Sequence, residues 1–459
     1  MTVAGQLAVS YSYDSNSRLT GINATINNVA SGFSLSYDAL GRRTSLTLPN
    51  GVKTNYTYDD GSRLLNLDHL APLGSVLEAL SYSYDATGNR TNMNRASVTL
   101  PLRNEVTNTN YNEANQMLRY NASSDNMTYD ENGNLTSITN SCGTTTYTWD
   151  VRNRLSNING FNTDCSALSA SFKYDALGRR TEKAINGVTT QYLYDGLDMV
   201  QEIENGAVAV NYIRTLNIDE PLARIQSDGT VRYYQTDALG SVIALTDDAG
   251  AIRTQYSYDP YGNTTISGEI SDNPFQYTGR ENDGTGLYYY RARYYSPELQ
   301  RFISEDPARF SGGINFYAYV ENNPSNYIDP HGLLAQNCSS LGCIPTSLWR
   351  EVSREPIGDW ELYNYKLIGP TLPPPGVPIP PSYTLHCYWK RKIAIQLERD
   401  LLCFEMCIDC GNAYFSSYNW VEFRSREGYG YDATHGVFGV WDALAYVMPD
   451  VYCKSKLKP

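Results

Sequence analysis

Polar and apolar positions alternate in short runs along most of the first half of this chain, and residues 37–59, YDALGRRTSLTLPNGVKTNYTYD, set out the pattern. Thr44, Leu46 and Leu48 alternate with polar neighbours, the period of a strand buried on one face. Asn50-Gly51 follows, a two-residue hairpin signal, and Lys53 to Tyr58 returns as a second strand with Tyr56 and Tyr58 on one side. Asp38 and Gly41 bracket the preceding turn. There an Asp side chain bonds the backbone ahead and a Gly takes positive φ. The segment predicts one β-hairpin opened by an aspartate turn.

The same unit recurs. Tyr-Asp or a close variant ends at Asp14, Asp38, Asp59, Asp85, Asp130, Asp150, Asp175, Asp195, Asp237 and Asp259, a period of about 22 residues with two double steps. Tyr111-Asn112 fills the first double step and a worn unit over 211–220 fills the second. The hairpin turn reappears as Asn186-Gly187, Asn205-Gly206, Asp228-Gly229 and Ala249-Gly250. A lone hairpin is marginal in water, so successive units must pair or stack to cover their Tyr and Leu faces. A continuous β-strip follows, either an extended solenoid or adhesin or a strip that curls round and encloses something.

Composition narrows the class. With 41% hydrophobic and 19% charged residues in 459, the chain is not of the disordered type, and its length suits two to four domains. A net charge of -13 gives the strip no general attraction to nucleic acid. The start, MTVAGQLAVSYSYD, has no signal-peptide pattern. The weakly polar run Val437 to Met448 contains Asp442 and is too short to span a bilayer, so no transmembrane segment is expected and export would use another route.

Near residue 333 the composition changes. Cys142 and Cys165 are the only cysteines before it, and seven more crowd behind it; five of the six tryptophans also follow it, whereas nearly all the net charge precedes it. Nine cysteines leave at least one unpaired within the chain. Seven prolines between Pro370 and Pro381 predict a stiff spacer closing a linker over 334–381. Residues 382–459 read as a small α+β domain. Ala394, Leu397, Leu401, Phe404 and Ile408 have helical spacing, and Tyr383–Trp389, Ala413–Trp420 and Val437–Tyr446 suit strands. On that helix Cys403, Cys407 and Cys410 share a face. With His386 they have the chemistry of a zinc site, but the spacing matches no standard zinc knuckle, and disulfides to Cys387, Cys343 or Cys453, or plain packing, are the commoner outcome. His435 with Asp432 in YDATHG is a general-base pattern for a nuclease or hydrolase, or simply a turn histidine. No cofactor is called for.

The unit Y-x-Y-D-x-x-G-R resembles the YD repeat of the Rhs family, which includes the C subunits of bacterial Tc toxins, Rhs polymorphic toxins and the animal teneurins. From Tyr233 to Leu333 the likeness is to the Rhs repeat-associated core: YYQTDALGSVIALTD, YSYDPYGN, PFQYTGRENDGTGLYYYRARYYSPELQRFISEDP and GGINFYAYVENNPSNYIDPHGL stand in continuous order. The resemblance implies a mainly β fold in which repeats over 1–232 spiral into a partial or complete hollow shell. A core over 233–333 would close it and act as an aspartic-type autoprotease, with Asp306 and Asp329 as the carboxylates and Arg293 supporting them. The scissile bond would join Leu333 to Leu334, at the composition boundary. The tail would be cargo for delivery to a target cell, with a cognate immunity protein and a secretion or shell-completing partner.

Two carboxylates held close together cannot both ionise cheaply, so one serves as acid and the other as base, with a guanidinium steadying the charge. Otherwise the Asp-Pro pairs merely start turns and Arg293 is a wall salt bridge. Two features depart from the family pattern. Arg309 stands where the family's P-x-G has glycine, and the chain starts in mid-repeat without the large upstream region of longer members, so a complete shell from this chain alone is not expected: it fits a short member, a displaced 3' gene fragment, or a chain whose shell a partner completes. The competing reading is a surface YD-repeat adhesion scaffold carrying an inert tail.

Overall fold

The computed structural model describes residues 7–98, 106, 108–120 and 126–337, and the backbone of six strands between 343 and 427. It divides into two compact units, residues 1–344 with 403–410, and 345–402 with 411–459, each described by itself.

In the first unit the alternating pattern becomes an antiparallel meander. An eight-stranded sheet runs from Val9–Tyr13 to Arg90–Arg95, and a fourteen-stranded sheet from Asn126–Tyr129 to Thr264–Gly268, every strand beside its neighbour in sequence. The expected hairpin is present, with Arg43–Thr47 paired to Lys53–Tyr58 through Leu46 opposite Thr54. Described residues outside strands hold only three short 3-10 turns, so the unit is mainly β. None of the described helices is long and apolar enough to cross a membrane.

Each letter of the repeat has a physical task. Asp38 Oδ1 accepts the N–H groups of Leu40 and Arg42 at 3.0 and 2.9 Å, and its Oδ2 takes Arg42 Nε at 2.7 Å. Gly41 sits at φ 82°, where a Cβ would be strained. Arg42 then reaches forward: Nη1 donates to the Asp59 carbonyl at 3.1 Å, and the guanidinium lies 4.7 Å over the Tyr58 ring. The Tyr58 hydroxyl donates back to the Arg43 carbonyl at 2.9 Å. Arg18, Arg63 and Arg154 repeat this grip on Asp38 and Tyr37, Asp85 and Tyr84, and Asp175 and Tyr174. Neighbouring units are thereby tied in one direction along the strip.

The strip folds over itself. Leu19, Ile22, Phe33, Leu35 and Leu46 of the first sheet pack on Ile213, Leu222, Ile225 and Tyr233 of the second. Polar pins cross between the sheets: Asn27 Nδ2 donates to the Gly229 carbonyl at 2.7 Å, and Arg43 pairs with Glu220 at 2.5 Å. The other side of the second sheet is covered by an aromatic block containing Phe275, Tyr288, Tyr295, Phe302 and Tyr319. For that reason Pro221–Gln226 and Val242–Thr246 are buried on both faces. The block carries its own small antiparallel sheet of Glu281–Asn282, Tyr288–Tyr290, Arg293–Ser296 and Arg301–Phe302.

Cys142 and Cys165 form a disulfide between successive hairpin loops, 23 residues apart. That separation is one repeat, so the two occupy equivalent turns, a pairing the sequence reading did not make.

In the second unit, Thr384–Arg399 is a central strand paired to Arg350–Pro356 and Glu361–Ile368 along one edge and Ala413–Glu427 along the other. This corrects the expected helix, because 394–399 and 401–403 run as strands. Leu385, Cys387, Trp389, Ile393, Ile395 and Leu397 fall on alternate positions. Over this longer window, period two outweighs the helical spacing read from Ala394, Leu397 and Leu401. The remainder of that helix, from Phe404, and Val437–Tyr446 lie outside the described residues; Ala413–Glu427 is a strand, as expected for its first half.

Candidate active site

Three local turns bring the site together. Arg293 begins a buried strand of the aromatic block, with its guanidinium 3.6 Å from the centre of the Phe302 ring. Asp306 follows the strand Arg301–Phe302 and opens an Asp-Pro turn: Oδ1 accepts Ala308 N–H at 2.7 Å, and its carbonyl accepts Arg309 N–H at 2.9 Å. Asp329 follows Tyr327–Ile328, and Gly332, at φ 67°, bends the chain back. A Cβ on Gly332 would meet the Tyr290 carbonyl at 2.3 Å, so both conformation and space demand glycine there. Beyond the bend, Gln336–Asn337 pairs with Tyr327–Ile328.

One guanidinium nitrogen holds both carboxylates. Arg293 Nη2 lies 2.8 Å from Asp306 Oδ2 and 3.5 Å from Asp329 Oδ2. Its Nε donates to the Gly332 carbonyl at 2.5 Å and its Nη1 to the Phe316 carbonyl at 3.0 Å. Asp329 Oδ1 accepts the N–H groups of Leu333 and Leu334 at 2.9 and 3.1 Å. The Leu333 carbonyl oxygen and Asp306 Oδ2 both approach Gly312 closely, since a Cβ there would lie 3.0 and 2.3 Å from them. The Leu333–Leu334 peptide thus has Asp329 at its nitrogen and Asp306 on its carbonyl side.

Burial dominates the electrostatics. Asp329 is raised to about 6, chiefly by burial; Arg293 and the two amides oppose this, and the Asp306 charge adds to it. Burial also raises Asp306 against the pull of Arg293. The same burial lowers Arg293, with both carboxylates working to keep it charged. The arrangement sets two carboxylates of raised pKa and a guanidinium around one peptide bond.

The structure therefore gathers Arg293, Asp306, Asp329, Leu333 and Leu334. Asp432 and His435 lie outside the described residues, as do Cys407 and Cys410; Cys403 and His386 are described only as strand positions. Sequence reading missed Gly312, although it stands in the GGINFYAYV motif, and Arg291, although it stands two places before Arg293 in YRARYY. Arg309, singled out as a departure, sits at φ 52°. A non-glycine residue held there is strained by about 1 kcal/mol or more. Arg309→Gly is expected to raise the urea unfolding midpoint by about 1 kcal/mol of stability, and an unchanged or lower midpoint would contradict this strain.

Comparison with known proteins concerns the fold that carries this site. A family model described as Teneurin YD-shell matches residues 4–325. The tRNA3(Ser)-specific nuclease WapA of Bacillus spizizenii is 38% identical over 201 residues, 41% of this chain and 8% of that protein. The toxin subunit YenC1 of Yersinia entomophaga is 31% identical over 214 residues, 41% of this chain and 22% of that protein. Among solved structures, the crystal structure of TcdB2-TccC3-Cdc42 superposes with a TM-score of 0.54 at 23% identity, over 71% of this chain and 20% of that one, a likeness of fold. The chain spans less than a quarter of the length of each of these proteins.

Proposed function

Because this chain belongs to the Rhs/YD-repeat family, with the teneurin YD-shell region over residues 4–325, we propose that it is the shell-and-protease part of a delivered toxin. On this reading it cuts itself after Leu333 and frees residues 334–459 as cargo. The named relatives include a nuclease and a toxin subunit, which supports a toxic tail that is secreted or delivered. The structural neighbour is a complex of several components, which supports a partner that completes the shell, and a toxic tail calls for a cognate immunity protein in the producing cell.

The observation that carries the proposal is the joint hold of Arg293 on Asp306 and Asp329 while Asp329 bonds the amide of Leu334. Asp306, the closer partner of Arg293, stays ionised and takes a proton from water as the water oxygen attacks the Leu333 carbonyl carbon. Asp329, which keeps its proton to higher pH, gives it to the Leu334 nitrogen as the C–N bond breaks. A new carboxylate on Leu333 and a new amine on Leu334 result. Arg293 offsets the charge that gathers between the two acids.

Intact mass spectrometry under denaturing conditions tests this. Two pieces are expected, ending at Leu333 and starting at Leu334, and Asp329→Asn should leave the chain whole. Since Asp329 must be protonated, the rate should fall as pH rises through about 6, and it should fall again in acid where Asp306 loses its charge. A wild-type chain that stays whole across this range would remove the protease reading.

A further inference from the structure

The loop that carries the cleaved bond is gripped one residue at a time. The Pro330 carbonyl accepts from Arg291 Nη1, the His331 carbonyl from the Ala292 N–H at 3.2 Å, and the Gly332 carbonyl from Arg293 Nε at 2.5 Å. Three consecutive residues thus hold three consecutive carbonyls. The fourth, on Leu333, receives no hydrogen bond among the described residues and lies against Gly312 beside Asp306. A slip of one residue would carry a held carbonyl into the cutting position and leave a donor without its acceptor.

The outer rung is built at some expense. Arg291 sits at φ 57°, a strained conformation for an arginine. Its guanidinium is locked by Asp219, with Nη2 to Oδ1 at 2.7 Å and Nη1 to Oδ2 at 2.9 Å, and Nη2 also reaches Asp198 at 3.3 Å. Arg280 shares the same Asp219 carboxylate. Asp219 is itself buried and left-handed at φ 60°, in the loop between the strands Ala207–Arg214 and Pro221–Gln226. That loop is the worn unit of the repeat strip, far from the aromatic block in sequence.

Resting on the self-cleavage reading above, we propose that Arg291 is the positioning residue that selects which peptide bond is cut, and that Asp219 of the repeat strip holds it in register. The bidentate pair fixes the guanidinium plane, so the Pro330 carbonyl, and with it every later residue of the loop, is indexed to the strip. Cleavage is then tied to folding: the site is in register only after the 215–220 loop has docked on the block.

The test uses the full chain. Arg291→Ala is expected to slow cleavage at least tenfold and to give several product masses from bonds flanking Leu333–Leu334. Arg291→Lys keeps one donor for the Pro330 carbonyl and should restore a single mass; Asp219→Asn should slow the cut while keeping some selectivity. In an Asp306→Asn background, which prevents cutting, Arg291→Ala should speed hydrogen exchange at the Ala292 amide at least tenfold, while amides of the Leu19–Ile26 strand keep their protection and report an intact fold. A wild type that never cuts would remove the reading on which the clamp rests. A wild type that cuts, with one product mass and an unchanged rate in Arg291→Ala, or with unchanged Ala292 exchange, would remove the clamp alone.

Discussion

Gly312→Ala is expected to stop the chain from cutting itself while leaving the fold in place. The added methyl would lie 2.3 Å from Asp306 Oδ2, 2.9 Å from its Cγ and 3.0 Å from the Leu333 oxygen. It would therefore push Asp306 and the Leu333 carbonyl out of their present positions. Asp306 cannot simply swing aside, because its other oxygen is bonded to Ala308 N–H and Oδ2 is paired with Arg293. Displacing a reacting group by about 1 Å costs on the order of 100-fold in rate, so the cleaved fraction after an overnight incubation should fall to a trace by intact mass. The stability change should stay near about 1–2 kcal/mol, the ordinary consequence of one extra methyl in a packed site. Wild-type cutting by Gly312→Ala would mean that the Asp306 side of the peptide takes no part.

Arg180→Ala should give the largest loss of stability. Arg180 is fully buried and joins the strand Arg180–Ile185 to the aromatic block: Nη2 lies 2.6 Å from Glu281, both Nη atoms bond Asp283, and the guanidinium stacks 4.3 Å over Tyr289. Truncation would leave two buried carboxylates with weaker partners, Lys183 at 3.3 Å from Asp283 and Arg280 at 3.9 Å from Glu281. Breaking a buried charge group in this way costs about 3–5 kcal/mol. A urea titration followed by tryptophan and tyrosine fluorescence should show the midpoint fall by that amount, and a loss under about 1 kcal/mol would show that the group is hydrated or rearranges.

The repeat could be read closely because its signals are local. Asp38 and Gly41 state turn conformations that depend on little beyond themselves, and the structure keeps them; the Asn50-Gly51 signal marks the right place, but the turn there is the longer one closed between Leu48 and Val52, with Gly51 left-handed at φ 81°. The core residues Arg293, Asp306 and Asp329 were picked out for a different reason, since each stands in a recognisable motif, although Arg309 breaks the one that follows Asp306. Alternation, however, says that one face of a strand is covered without saying by what. Arg43 and Glu220, or Leu46 and Ile225, meet because the strip folds over, and nothing near either residue announces it. Arg291 was passed over because its task depends on Asp219, which sits in the one repeat whose motif has worn away. At 394–401 the sequence fits both a helix and a strand, and only the longer run from Leu385 favours the strand.

The forward reach of each repeat arginine has a mechanical corollary. Three units in a row carry a shorter residue at that place: Asn89 and Gln116 pair inside their own turns, with Asp85 at 3.0 Å and Asn112 at 2.6 Å, and Asn134 reaches only the turn of the next unit, at Asn153 Oδ1, 3.0 Å away. Between the first and the last of them the continuous ribbon ends and a new one begins. The missing arginines do not set that break alone, because Ser241 and Asn263 stand at the same place in later units and the second ribbon runs through them without interruption.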